Sequence, residues 1–227
     1  MKLEMSEEAQ RKKSPSSQKC PRPYRLGQRG AAMEETRARV LMAAWELILG
    51  EDALAGFTLE SVARQAGVTR MTVYHRFGSK RGLLEALFDD MGRRGRLGER
   101  LPDAFARPDA LEALQAYIEA FCDFWESDRA LNRRLRGFAA LDQEFAAAIA
   151  SRYERRHHAI ETLLRRLSKE LRGHGIKPSP TQRAELVQTL LALTGFEFYD
   201  VLAGERSPQQ VAPIIFQLVL SALGLKQ

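Results

Sequence analysis

Apolar residues recur at steps of three and four along almost the whole chain from Glu34 onward, and that rhythm predicts one helix after another with little sign of a strand. Val40, Ala44, Leu47 and Ile48 form the first stripe, with Trp45 adding bulk. Thr58 reads as the N-cap of a short second helix whose buried side is Val62 and Ala66, and Gly67 ends it. Thr69 caps a third helix in which Val73 and Phe77 share one face, one helical turn apart. Gly78 stops that helix, and Ser79 caps a fourth through Leu83, Leu84, Leu87 and Phe88. The run GRRGRLG at residues 92–98 interrupts the period and marks a junction between two halves.

The second half keeps the helical step. Leu111, Leu114, Ile118, Phe121, Cys122 and Trp125 define one element, and Leu131, Leu135 and Phe138 a shorter one. A long helix is expected from about Asp142 to Leu171, another from Ser179 or Thr181 through Leu186, Leu190, Leu193 and Phe196, and a last one opening at Ser207-Pro208. Pro213 fits badly inside that last helix, so a kink or a late start is expected there. Residues 1–32, rich in Lys, Arg, Ser, Pro and Gln with scarcely any large apolar side chains, are expected to be a disordered basic extension. The division that follows is 1–32, then 33–92, then 93–227.

Charge sharpens this picture. The chain has 227 residues and a formal charge of +6, with a pI near 9.5. Residues 1–32 hold eight bases and three acids, whereas residues 97–227 hold seventeen of each. Between Val62 and Leu84 stand Arg64, Arg70, Arg76, Lys80 and Arg81 without a single acid, which points to a polyanionic partner. Two cysteines in unlike settings, Cys20 in the polar tail and Cys122 in an apolar run, argue against a disulfide framework. No segment approaches the roughly 20 apolar residues of a membrane span, and the N-terminus lacks the apolar core of a secretion signal. A cytoplasmic, soluble protein with no membrane partner is expected.

A short helix, an Ala-Gly-Val turn and a capped second helix form the helix-turn-helix pattern, in which the second helix enters the DNA major groove. With Val73 and Phe77 turned inward, Arg70, Met71, Tyr74 and His75 are left to face bases or phosphates. Thr58 and Lys80, at the starts of flanking helices, are placed to hold phosphates.

The segment from Thr36 to Phe88 resembles the DNA-binding domain of the TetR/AcrR family of transcriptional regulators. The likeness is carried by the opening T-R, the A-A-x-x-L-I of the first helix, the T-L-x-S-V-A entry to the second, and A-G-V-T-x-x-T-V-Y-x-x-F-G-S-K-x-x-L across the reader. The resemblance implies phosphate contacts at Thr58, Thr69, Tyr74 and Lys80, and base readers at Arg70, Met71 and His75. Two positions depart from the family pattern. Met71 stands where a small residue is frequent, and Arg76, where a His often precedes the Phe, should still hold a phosphate.

The fold class implied is all-α: an N-terminal three-helix helix-turn-helix domain, then a helical ligand-binding and dimerisation domain. The family further implies dimerisation through the last two long helices and a ligand pocket, for which Phe121, Trp125, Phe138, Phe145, Phe196 and Tyr199 are the aromatic candidates. The function implied is that of a homodimeric, ligand-responsive repressor on a palindromic operator. An activator, a ligand-independent regulator, or a helical enzyme with a DNA anchor using His157 or His158 with Glu154 stand as alternatives. His157 and His158 point about 100° apart and cannot chelate one ion together; His157 with Glu161 and Glu154 with His158 have workable spacing but read as surface pairs on an arginine-studded helix, and with no Cys-rich metal spacing or phosphate loop neither metal nor cofactor is expected.

Overall fold

The computed structural model describes residues 24–50 and 56–225. All regular structure among them is helical: α1 (Tyr24–Leu49), α2 (Leu59–Gln65), α3 (Arg70–Phe77), α4 (Lys80–Arg94), α5 (Leu97–Ala106), α6 (Ala110–Ser127), α7 (Arg129–Ala139), α8 (Gln143–Arg166), α9 (Ser168–Gly173), α10 (Pro180–Leu193), α11 (Phe196–Ala203) and α12 (Pro208–Ala222). Residues 1–36 and 37–227 fall into two units. In the first, α1 already begins at Tyr24, so residues 24–32, expected to be disordered, are helical; Thr36 donates its hydroxyl to the Ala32 carbonyl at 2.8 Å, a bond internal to that helix. The rest of the expected disordered extension, residues 1–23, lies outside the described residues.

In the second unit each early helix is stopped and restarted by local chemistry. Thr58 accepts from the Ser61 amide at 3.0 Å while the Ser61 hydroxyl accepts from the Thr58 amide at 2.9 Å, a reciprocal cap on α2. Gly67, at φ +65°, closes α2 in the left-handed region, where a side chain is disfavoured. Thr69 then caps α3 by accepting from the Thr72 amide at 3.1 Å, and Ser79 caps α4 by accepting from Gly82 at 3.0 Å. Gly82 is required for a second reason: a Cβ there would sit 2.0 Å from the Phe77 carbonyl oxygen. The end of α3 therefore lies directly against the first turn of α4.

One continuous core runs from Val40 to Leu225. In its first part Val40, Ala44, Ile48, Val62, Val73, Leu83, Leu84 and Leu87 are fully or almost fully buried, each larger side chain contributing roughly 1.5–3 kcal/mol of apolar burial. Farther on, α6 is flanked by α5 and α12, while α8 packs on α4, α7 and α10. Burial pushes the Cys122 thiol on α6 up to about 12, which keeps it a core residue rather than a nucleophile.

Several expected boundaries move. The junction at residues 92–98 is only a turn, with Gly95 closing α4 and Arg96 at φ +55° opening α5, a helix the broken periodicity concealed. The long helix expected to reach Leu171 breaks at Leu167. The run LLALTGFEF divides at Thr194-Gly195 into α10 and α11, bent by 45°. The last helix starts at Pro208 and continues through Pro213, so the late start is not observed. No single helix among the described residues is long and apolar enough to cross a membrane.

Candidate nucleic-acid interface

The eight residues of α3 divide cleanly between core and solvent. Val73 is fully buried and Phe77 partly buried, which fixes the rotation of the helix. Arg70, Met71, Tyr74 and His75 then face outward together, Met71 at 59% and Tyr74 at 54% exposure. The Tyr74 and His75 rings meet edge to face, 6.3 Å between centroids. Thr58 and Thr69 are exposed at the N-termini of α2 and α3, with their hydroxyl oxygens engaged in the caps. Arg76 is half-buried. Among the described residues, no acid is paired with Arg64, Arg70 or Arg76; Arg81 is bonded to Glu85 at 2.9 Å.

Lys80 is placed differently from expectation. Its Nζ lies 2.5 Å from Asp142 Oδ2 and 5.0 Å from the centre of the Phe145 ring, and only 19% of its side chain is exposed. Asp142 is the N-cap of α8, accepting from the Glu144 amide at 2.8 Å, and the bond from Lys80 holds its carboxyl below the usual carboxylate range. A carboxylate within reach outcompetes solvent for the ammonium, so Lys80 ties α4 to α8 rather than standing free beside the reader.

A second site lies in the C-terminal half: a cavity of about 1010 Å³. Its apolar walls include Phe88 of α4, Leu101 of α5, Phe121 and Trp125 of α6, and Phe198 of α11. Of the six aromatic candidates, Phe121 and Trp125 therefore line it and four do not. Phe138 and Phe145 meet edge to face at 5.4 Å, and Phe145 packs on Phe57 at 5.5 Å, filling the core under Lys80. Phe196 sits edge-on behind Trp125 at 5.7 Å, and Tyr199 is fully buried with its hydroxyl donating to Glu126 at 2.7 Å.

What the sequence pattern missed is the arginines. Arg136, Arg152 and Arg156 all line the cavity. Arg156 is more than nine-tenths buried. Its Nη2 donates to the Leu191 carbonyl at 3.1 Å and to the Thr194 hydroxyl at 2.9 Å, and its guanidinium lies 5.1 Å and 5.5 Å from the Phe121 and Trp125 ring centres. A signal was available: Arg156 occupies the apolar stripe of α8, seven residues after Ile149 and four before Ile160. By contrast His158, exposed, has its Nδ1 2.8 Å from the backbone carbonyl of Glu154, and His157 lies 3.8 Å from Glu161. Neither histidine lines the cavity, and no cluster of metal-ligating side chains occurs among the described residues.

Residues 40–87 match the sequence model described as bacterial regulatory proteins, tetR family. Among curated proteins, the chain is 37% identical over 97 residues to the HTH-type transcriptional regulator AlkX of Mycobacterium tuberculosis, covering 41% of this chain and 43% of that one. It is 42% identical over 57 residues to the HTH-type transcriptional regulator SrpR of Pseudomonas putida, covering 25% and 26%. The nucleoid occlusion factor SlmA of Vibrio campbellii matches over a longer span, 24% identical across 71% of this chain and 81% of its own. Two solved structures share the fold: a TetR-like transcriptional regulator from a Rhodococcus species (TM-score 0.60, 20% identity, 84% and 97% coverage) and the TetR family regulator PfmR of Thermus thermophilus (TM-score 0.58, 20% identity, 83% and 100% coverage).

Proposed function

We propose that this chain, a DNA-binding transcriptional regulator of the tetR family, is a ligand-responsive repressor that acts as a homodimer on a palindromic operator. The observation that carries the reading is the outward row of α3, where Arg70, Met71, Tyr74 and His75 stand together on a helix that carries no acid. Arg70 and His75 are the readers of base edges and Met71 packs against a thymine methyl. Thr58, Thr69, Tyr74 and Arg76 hold phosphates beside helix N-termini or along the groove wall.

Two further features support the finer reading. On α12, Ile214 and Leu218 lie one turn apart and remain exposed at 38% and 40%, an apolar edge suited to a second copy of the chain. A two-fold dimer sets two readers about one helical turn of DNA apart, roughly 34–36 Å. The cavity also reaches α4: Arg152 lines it and bonds Asp89 at 2.9 Å and the Glu85 carbonyl at 2.7 Å. A ligand that binds one position of α4 better than another shifts the reader spacing, whereas equal affinity for both would change nothing.

The test is a gel shift against DNA upstream of its own gene and of neighbouring genes, with and without candidate ligands. Retarded bands that ligand reverses are expected, together with a dimer mass in solution. A monomer that retards every sequence equally would sink the reading.

A further inference from the structure

The cavity is apolar with one electrical anomaly. Its walls carry five arginines (Arg93, Arg136, Arg152, Arg155 and Arg156) against two carboxylates, Asp89 and Glu197. Most of these charges are answered. Arg93 is bonded to Asp90 at 2.5 Å, Arg152 to Asp89 at 2.9 Å, and Arg136 to Glu197 at 2.8 Å; Arg155 is largely exposed. Arg156 is not. It is the most buried of the five, and among the described residues no acid lies within ion-pair distance of it. Its Nε has no hydrogen-bond partner, and the same holds for the Nε of Arg136 and of Arg152.

A guanidinium keeps its charge in any protein setting, so it cannot relieve burial by losing a proton. Its two hydrogen bonds and the Phe121 and Trp125 rings orient it, but neither supplies a counter-charge. Arg136 feels the same site: burial lowers it, Glu197 opposes, and the charge of Arg156 lowers it further. One cation thus stands uncompensated in a pocket at the upper end of the usual ~300–1,000 Å³ for small-molecule sites.

We propose that the cavity binds an apolar small molecule bearing a single carboxylate, which accepts from the unpartnered Nε–H of Arg156 while the apolar body lies along Phe88, Leu101 and Phe124. The head group follows from the single buried guanidinium without an acid, since Arg155, the other arginine left over, is largely exposed to water: one buried positive charge matches a carboxylate, whereas a phosphate monoester brings close to two negative charges at neutral pH. This inference rests on the reading of the chain as a ligand-responsive regulator, and it names the class of effector.

The experiment titrates the full-length protein with octanoate, dodecanoate and hexadecanoate, each beside its methyl ester, reading Trp125 fluorescence and heat of binding. At least one acid should bind about tenfold or more tighter than its ester, the worth of a charge-assisted hydrogen bond. Arg156→Met should bring acid and ester together, and Arg156→Lys should restore part of the gap. Equal binding of acid and ester by the unaltered protein, or binding of none of the acids, overturns the proposal without recourse to any variant. Operator binding is measured in the same samples. Tight, Arg156-dependent binding of an acid that leaves DNA affinity unchanged would uphold the site and sink ligand-induced release. An ester that releases DNA while the acid does not would do the reverse.

Discussion

Arginines without an acid occur in two regions of this molecule, and they mean different things. On α3, Arg70 is exposed to solvent, where an unpaired cation costs almost nothing, and the proposed function gives it a phosphate or a guanine edge. In the cavity, Arg156 is more than nine-tenths buried, where the same lack of a partner is expensive. A bare cation at the surface describes a macromolecular partner that approaches from outside. A bare cation inside describes a ligand small enough to enter. Asp128 adds a third case. It is 7% exposed and its Oδ2 has no hydrogen-bond partner. An acid in that position has an escape closed to arginine, because it can bind a proton: burial pushes Asp128 up to about 6, with Arg94 opposing and Asp90 adding to the rise.

The largest effect expected is on the exposed side. Arg70→Ala should erase preference at its base pairs by ~1–3 kcal/mol in each half-site, with the melting midpoint nearly unchanged. Binding to a set of operator variants checks this, and an unaltered ranking would return Arg70 to the role of plain surface charge.

Asp128→Asn comes next. Because the folded-state value lies above the ordinary ~3.9, the acid lowers stability progressively as pH rises from about 4 through 6. The amide should therefore gain on the order of 2 kcal/mol at pH ~7.5 and little at pH ~4, as read by urea melts at the two pH values. An equal gain at both would show that the charge is not the cause.

Arg156→Met tests the buried cation from the stability side. The ligand-free protein should melt at the same temperature or slightly higher, since an uncompensated charge leaves a dry site. A fall of several degrees would make Arg156 a structural brace instead.

The smallest effect is expected at the partly buried pair of Lys80 and Asp142. Asp142→Asn should cost about 1 kcal/mol or less, typical of such ion pairs. Since Lys80 holds the acid below its ordinary value, this contribution is present above pH ~4 and fades as pH falls through the lowered value. The difference between variant and parent should vanish in the most acidic melts.

Much of the helix-turn-helix geometry was legible because its signals are local. Caps at Thr58, Thr69 and Ser79, the turn at Gly67, and the inward Val73 all follow from neighbours within four residues. Lys80 was misplaced because its partner Asp142 lies 62 residues away, and no periodicity reports a contact between helices so distant in sequence. The cavity was half legible for a similar reason. Aromatic side chains at helical spacing announce burial, and Phe138, Phe145, Phe196 and Tyr199 are buried or partly so. Which of them faces a void depends on how four or five helices meet. The break at Thr194-Gly195 was likewise hidden, because the apolar pattern continues across it.

The contact at Gly82 gives the molecule a mechanical property. With room for no more than a hydrogen between the Phe77 carbonyl and the start of α4, the reader has no independent hinge at that joint. Helix α4, about 22 Å long, meets α3 at one end and forms part of the cavity wall near Phe88 and Gly92 at the other, so the proposed function makes it a lever. On that proposal, a tilt of about 10° at the cavity end would swing the far end by about 4 Å, a misfit of a full base-pair step. The molecule gains leverage from a residue that contributes no side chain at all.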